Sequence, residues 1–253
     1  FIKGSLASPS ADEVTAGFTK RFGNRAMVRG DYVNRTFHDF YVSPTDMTTG
    51  SATETFQGHT YTLDKTYTTN DDTVLKRKYN GLQVQFAYRP WDWLNVGGNY
   101  TYSKAEGNFL GETATSGPVT AASGFPQVFA YPEYSQAKWN VSYGYLPIDQ
   151  RHKARLWAVW DAISGKHNKL SVSVMGNYFS GQPYGAYGTI DTRSYVTNPG
   201  YKTVPSNVGY WFTSRDAYRT DNITRADLAL NYAFQLPALG TNTEFFVEPQ
   251  VVN

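Results

Sequence analysis

The chain has 253 residues, with 23 Lys and Arg against 21 Asp and Glu, and its net charge of +2 is too small and too mixed for a nucleic-acid-binding stripe. It has no cysteine, which excludes a disulfide framework and any Cys-ligated metal. No run of about 18 apolar residues occurs, which excludes an ordinary helical membrane span, while an aromatic share of 16% supplies many side chains that favour a boundary between an apolar phase and water.

In chain order, Val14, Ala16, Phe18 and Phe22 alternate with Glu13, Thr15, Gly17, Thr19 and Arg21, with Lys20 interrupting the apolar side. A tight Gly23-Asn24-Arg25 turn leads to Ala26, Val28, Gly30 and Tyr32, alternating with Met27, Arg29, Asp31, Val33 and Arg35. Period-two alternation of this kind predicts a hairpin with one apolar and one polar face. From about Tyr41 to Leu75 the pattern gives way to a long Thr-, Asp-, Gly- and Ser-rich connection.

Leu82, Val84, Phe86 and Tyr88 restore the alternation, a connection over Arg89–Asp92 containing Pro90 stops it, and Leu94, Val96, Gly98, Tyr100 and Tyr102 resume it. A second long connection follows; within it the residues 139–145 alternate briefly and read as either a strand or an ordered loop. Lys153–Asp161 and Lys169–Tyr178 predict a third hairpin, with Trp157 and Met175 among the residues on its polar side. A third long connection runs from about Ser180 to Asn222; Ala226–Phe234 and a strand begun by Phe245, Val247 and Val251 close the series. No helical pattern of useful length occurs.

The connections alternate short, long, short, long, as they do in transmembrane barrels, where periplasmic turns are tight and extracellular loops long. Phe22, Tyr88, Trp160 and Phe234 then lie beside the short turns, and Tyr32, Tyr100, Tyr102 and Tyr178 nearer the long loops, the layout of two aromatic girdles. A mean hydropathy of −0.50 does not count against this, because lumen-facing residues and long loops are polar. The competing fold is a soluble β-sandwich whose apolar face looks into a core.

The block Tyr143-Gly144-Tyr145-Leu146-Pro147-Ile148-Asp149-Gln150-Arg151-His152, followed by two strands and Ser180-Gly181-Gln182-Pro183-Tyr184, resembles the C-terminal part of TonB-dependent outer-membrane receptors. It looks most like the subgroup with a carboxypeptidase-regulatory-like N-terminal domain. Ser8-Pro9 with Glu13–Gly17, and Asp31–Arg35 with Asp39-Phe40-Tyr41, are similar to further strand motifs of that family. The resemblance implies a barrel of about 22 strands closed by a plug, driven by an inner-membrane energy-coupling complex, in the outer membrane of a Gram-negative cell. On this reading residues 1–253 are a partial barrel domain of about eight antiparallel transmembrane strands, lacking the plug, the energy-coupling box and the final strand. The segment 139–145 becomes loop structure.

Little points to catalysis. His38, His59, His152 and His167 are scattered without metal-ligand spacing, Gly-X-Ser-X-Gly, Walker-type and HExxH patterns are absent, and Asp64, Asp71 and Asp72 lack the spacing of a calcium loop. We therefore expect no enzyme and no cofactor. Cargo contact is expected from loop aromatics, among them Phe129, Tyr131, Tyr184, Tyr187 and Trp211, and from Arg151 and His152 at a strand start, for which pairing with Asp149 or a loop carbonyl is the more ordinary role. The expected partners are outer-membrane lipid, the energy-coupling complex, and a small-molecule, glycan or peptide cargo, with no nucleic acid. A small structural or adhesive eight-stranded barrel, and a soluble carbohydrate-binding sandwich, are the alternative functions.

Overall fold

The structure is a computed structural model describing residues 4–42, 51–65, 68–73, 75–109, 142–191, 207–236 and 243–252. β1 (Ser10–Phe22) and β2 (Ala26–His38) form the first hairpin, turning at Gly23, whose φ of 60° suits a residue without Cβ. β3 (Tyr41–Val42) pairs with β6 (Thr69–Asn70), and between them β4 (Ser51–Phe56) pairs with β5 (His59–Asp64). β7 (Arg77–Trp91) and β8 (Leu94–Gly107) form the second long hairpin, with β9 (Gly144–Tyr145) against the end of β8. β10 (His152–Ser164) and β11 (Asn168–Phe179) form the third. In the following connection β12 (Pro183–Tyr184) pairs with β15 (Tyr218–Arg219), and β13 (Tyr187–Asp191) with β14 (Asn207–Trp211). β16 (Ile223–Gln235) then pairs with both β17 (Glu244–Val247) and β18 (Gln250–Val251).

The long strands make one antiparallel meander in the order β1-β2-β7-β8-β10-β11-β16-β17, so each predicted strand is present and neighbours in sequence are neighbours in space. Among the described residues nothing pairs β1 with β17 or β18, and the sheet is an open arc with two free edges. Among the described residues no second layer covers either face: the buried hydrophobic residues are few, and Phe40, Leu75 and Phe109 form a small cluster at the long-loop end beside Phe37. A sandwich would bury one face against a second sheet about 10 Å away, and among the described residues there is none.

Three local expectations need correction. The connection read as Arg89–Asp92 is shorter, because β7 runs through Pro90 to Trp91 and the register shifts between Tyr88 and Trp91. Proline lacks an N–H and is tolerated at such a bulge. The first long connection is not irregular throughout, since Gln57 (φ 50°) and Gly58 (φ 78°) form a two-residue turn that closes β4 on β5 with the doubly positive φ of a type I′ hairpin. Of residues 139–145, Gly144 and Tyr145 form a short strand, while 139–141 lie outside the described residues.

Candidate functional site

Directly opposed residues of an antiparallel pair project from the same face, so the register tests the alternation across the whole sheet. One row reads Phe22, Ala26, Tyr88, Val96, Ala158, Val174, Leu228 and Val251. A row three residues nearer the long loops, on the other face, reads Thr19, Arg29, Gln85, Asn99, Arg155, Asn177 and Arg225. The two chemistries stay on separate faces through seven strands. The apolar face is open: Phe18 is 64% exposed, Leu156 55% and Tyr88 50%. The polar face carries one apolar strip, where Met27, Ala87, Gly97, Trp157 and Met175 share a row and the Trp157 ring lies over Gly97 in the space a Cβ would need.

At the long-loop end the roots of the second and third connections meet on Asp149, whose side chain has no exposed surface. Its Oδ1 accepts the Ala105 N–H at 2.9 Å, and its Oδ2 accepts Arg219 Nη2 at 2.5 Å and Arg151 Nη2 at 3.3 Å. Arg219 Nη1 also donates to the carbonyls of Asp149 and Gly181, tying the β15 end of the third connection to β8 and to the start of β10. Both guanidinium groups lie beside the Tyr145 ring, Arg151 at 4.2 Å and Arg219 at 5.7 Å from its centroid. Burial opposes the charge on Arg151, yet Asp149 and Tyr145 hold its pKa above the ordinary arginine value. Arg215, 3% exposed, donates to the Gly107 carbonyl at 3.1 Å; burial pulls its pKa down to about 10 against the opposing charge of Asp216.

The five residues singled out for cargo contact divide into distinct places. Arg151 is turned into the Asp149 cluster. His152 projects on the apolar face, opposite Tyr102, with Nδ1 2.7 Å from the Tyr100 hydroxyl. The structure brings the other three together in the third connection. Tyr187 packs on the buried Trp211 at 4.9 Å between ring centroids, and Tyr184 on Tyr218 at 5.4 Å. Tyr184 and Tyr187 keep much of their surface exposed, and burial of its remainder raises the pKa of Tyr187. Phe129 and Tyr131 lie outside the described residues.

Asp71 and Asp72 work as loop acceptors: Asp71 Oδ1 takes the Thr73 N–H at 2.8 Å, and Asp72 Oδ1 the Asp39 N–H at 2.7 Å. Among the described residues no group of His, Asp and Glu is placed to hold a metal. The reading from sequence missed Arg219 and Arg215, whose partners are far away in the chain, and Asn70. The Asn70 amide pairs with both the N–H and the carbonyl of Ala7 and also donates to the Asp39 carbonyl, clipping the approach to β1 against the β2 exit.

No protein-family model matches the chain, and no curated protein matches it. Among solved structures it is similar to the outer membrane transporter YddB from Escherichia coli, at 14% sequence identity and a TM-score of 0.50 over 98% of this chain. That match covers 32% of the transporter, so the chain spans about a third of its length. The likeness is one of fold: an antiparallel arc with the architecture of part of an outer-membrane transporter barrel.

Proposed function

We propose that the chain is a section of the wall of an energised outer-membrane uptake receptor of the TonB-dependent kind, with its short turns in the periplasm and its long loops outside. The observation that carries this reading is the registered apolar face of the sheet, which no other described residues cover as a second layer. On β7 the apolar run from Leu82 to Trp91, at about 3.3 Å per residue and a tilt near 40°, stands about 23 Å tall, close to the roughly 25 Å band of such barrels. In water a contiguous apolar surface of this size would be a liability; in lipid it is the required surface. Lys20, a cation within the apolar stretch of β1, fits the same picture. Its ammonium lies 5.2 Å from the ring of Phe22, the last residue of β1, and so reaches toward the short-turn interface.

Unpaired edge amides are costly in lipid, so the free edges of β1 and β17 favour a larger barrel completed by other strands over a self-contained eight-stranded one. Uptake in such a receptor is driven by the inner-membrane complex through a plug carried elsewhere in the protein. Cargo of small-molecule, glycan or peptide class meets Tyr184 and Tyr187 outside, with the buried Trp211 backing Tyr187 and with Arg151 and His152 positioning the rim. Spin labels placed singly at Val84 and Gln83 in the intact, membrane-embedded protein test the wall. Val84 should report lipid and Gln83 water, and the same environment at both positions would sink the reading.

A further inference from the structure

Building on the assignment of the polar face to the lumen, we propose an oxyanion-binding site on β10, β11 and β16, formed by Lys153, Arg155, Asn177 and Arg225, which takes a carboxylate or phosphate group of an acidic cargo. Arg155, Asn177 and Arg225 are directly opposed across three adjacent strands, and Lys153 shares their face two residues along β10. The two arginine Cα atoms are two strand spacings apart, about 9.6 Å, which lets both guanidinium groups converge on one small group above Asn177.

The orientation of the Asn177 amide makes the site selective. Arg155 Nε has only a proton to offer and donates to Asn177 Oδ1 at 2.8 Å, so the amide oxygen faces Arg155 and the NH2 faces away from it. Asn177 is 8% exposed, so little water competes at its base. What remains to meet a ligand is the amide NH2, two guanidinium groups and an ammonium, all donors and three of them charged. Such a set favours an anion with several acceptor oxygens.

The three cations outnumber the carboxylates nearest to them. Asp31 is held by Arg29 at 2.7 Å, and Asp161 accepts the Ser171 hydroxyl at 2.7 Å. Asp227 lies one row further along β16, opposite Met175. Asn99 and Thr101, which oppose Arg155 and Lys153 from β8, are neutral.

The test is calorimetric titration of the full-length protein in lipid nanodiscs with inorganic phosphate and, separately, citrate at low ionic strength. Both anions should bind the wild type, and Arg155→Gln and Arg225→Gln should each weaken binding roughly tenfold or more. Asn177→Asp keeps the shape but replaces donors with a charged acceptor and should remove binding, while Arg155→Lys should retain part of it. Arg21→Gln, on the same face nearer the short turns, should leave it unchanged. Citrate binding more tightly than phosphate identifies an organic polyanion as the cargo, and the reverse order identifies the free ion; each result supports the site. Absence of a response to both anions in the wild type, or equal binding by both glutamine variants and wild type, overturns it. A spin label at Gln85, on the same row, separates the two levels of inference. Water there with no anion binding rejects the site alone, whereas lipid there rejects the wall assignment beneath it.

Discussion

Asp149 sits where the second and third connections leave the sheet, accepting from both Arg219 and Arg151 while holding the Ala105 amide. Asp149→Asn keeps the shape and removes the charge, leaving two guanidinium groups without their counter-ion. Breaking a buried pair in this way costs about 3 kcal/mol or more, and the partial exposure of Arg219 places this case at the lower end. Faster hydrogen exchange at the Ala105 amide is the expected signature, and an unchanged rate would remove Asp149 from its central role. Gly181 sets a second limit, because a Cβ there would overlap the backbone carbonyl of Thr220, whereas Gly176 has open space around it. Gly181→Ala should therefore destabilise the root of the third connection by about 1–3 kcal/mol, and Gly176→Ala should be close to neutral in thermal melts. Burial at Tyr187 favours the neutral phenol, so the folded hairpin keeps its proton at a pH where the unfolded chain has lost it. The β13–β14 hairpin should lose stability as pH rises past about 10, and Tyr187→Phe should abolish that loss in amide-exchange measurements.

Among the elements, the β4–β5 hairpin depends on a turn with positive φ at Gln57, a conformation that asparagine adopts more readily than glutamine. Gln57→Asn should slow exchange of the hairpin amides, corresponding to a few tenths of a kcal/mol up to about 1, and faster exchange would contradict the turn assignment. This hairpin escaped the reading from sequence for a physical reason. Its threonines oppose one another on one face, while the other mixes Ala52, Glu54 and Phe56 with Leu63, Tyr61 and His59, so no apolar period marks it. The long strands were legible because each presents an apolar and a polar face along its length, which imposes period two on Leu82–Tyr88 or Ala226–Phe234. Pro90 misled because a proline normally ends a ladder, whereas here a bulge absorbs it. Asp149 with Arg151 was visible as a short-range pair, but Arg219 lies 70 residues away and no local pattern announces it.

For the molecule as a whole, β1 is exposed along its entire length and β17 with β18 ends the other side, so among the described residues the arc has two unpaired edges. The 253-residue chain refolded alone into lipid vesicles should give heterogeneous, protease-sensitive species rather than a discrete heat-modifiable band. A sharp closed barrel formed by this chain alone would favour the eight-stranded alternative. The Asp149 cluster has a further consequence at this scale. It fastens the third connection at Gly181 and Arg219, well before the outer hairpin of β13 and β14, and so separates the part that holds the wall from the part that projects outward. On the orientation proposed above, a foreign peptide grafted between Asp191 and Asn207 should be displayed outside the cell while the footing at Gly181 and Arg219 stays as it is.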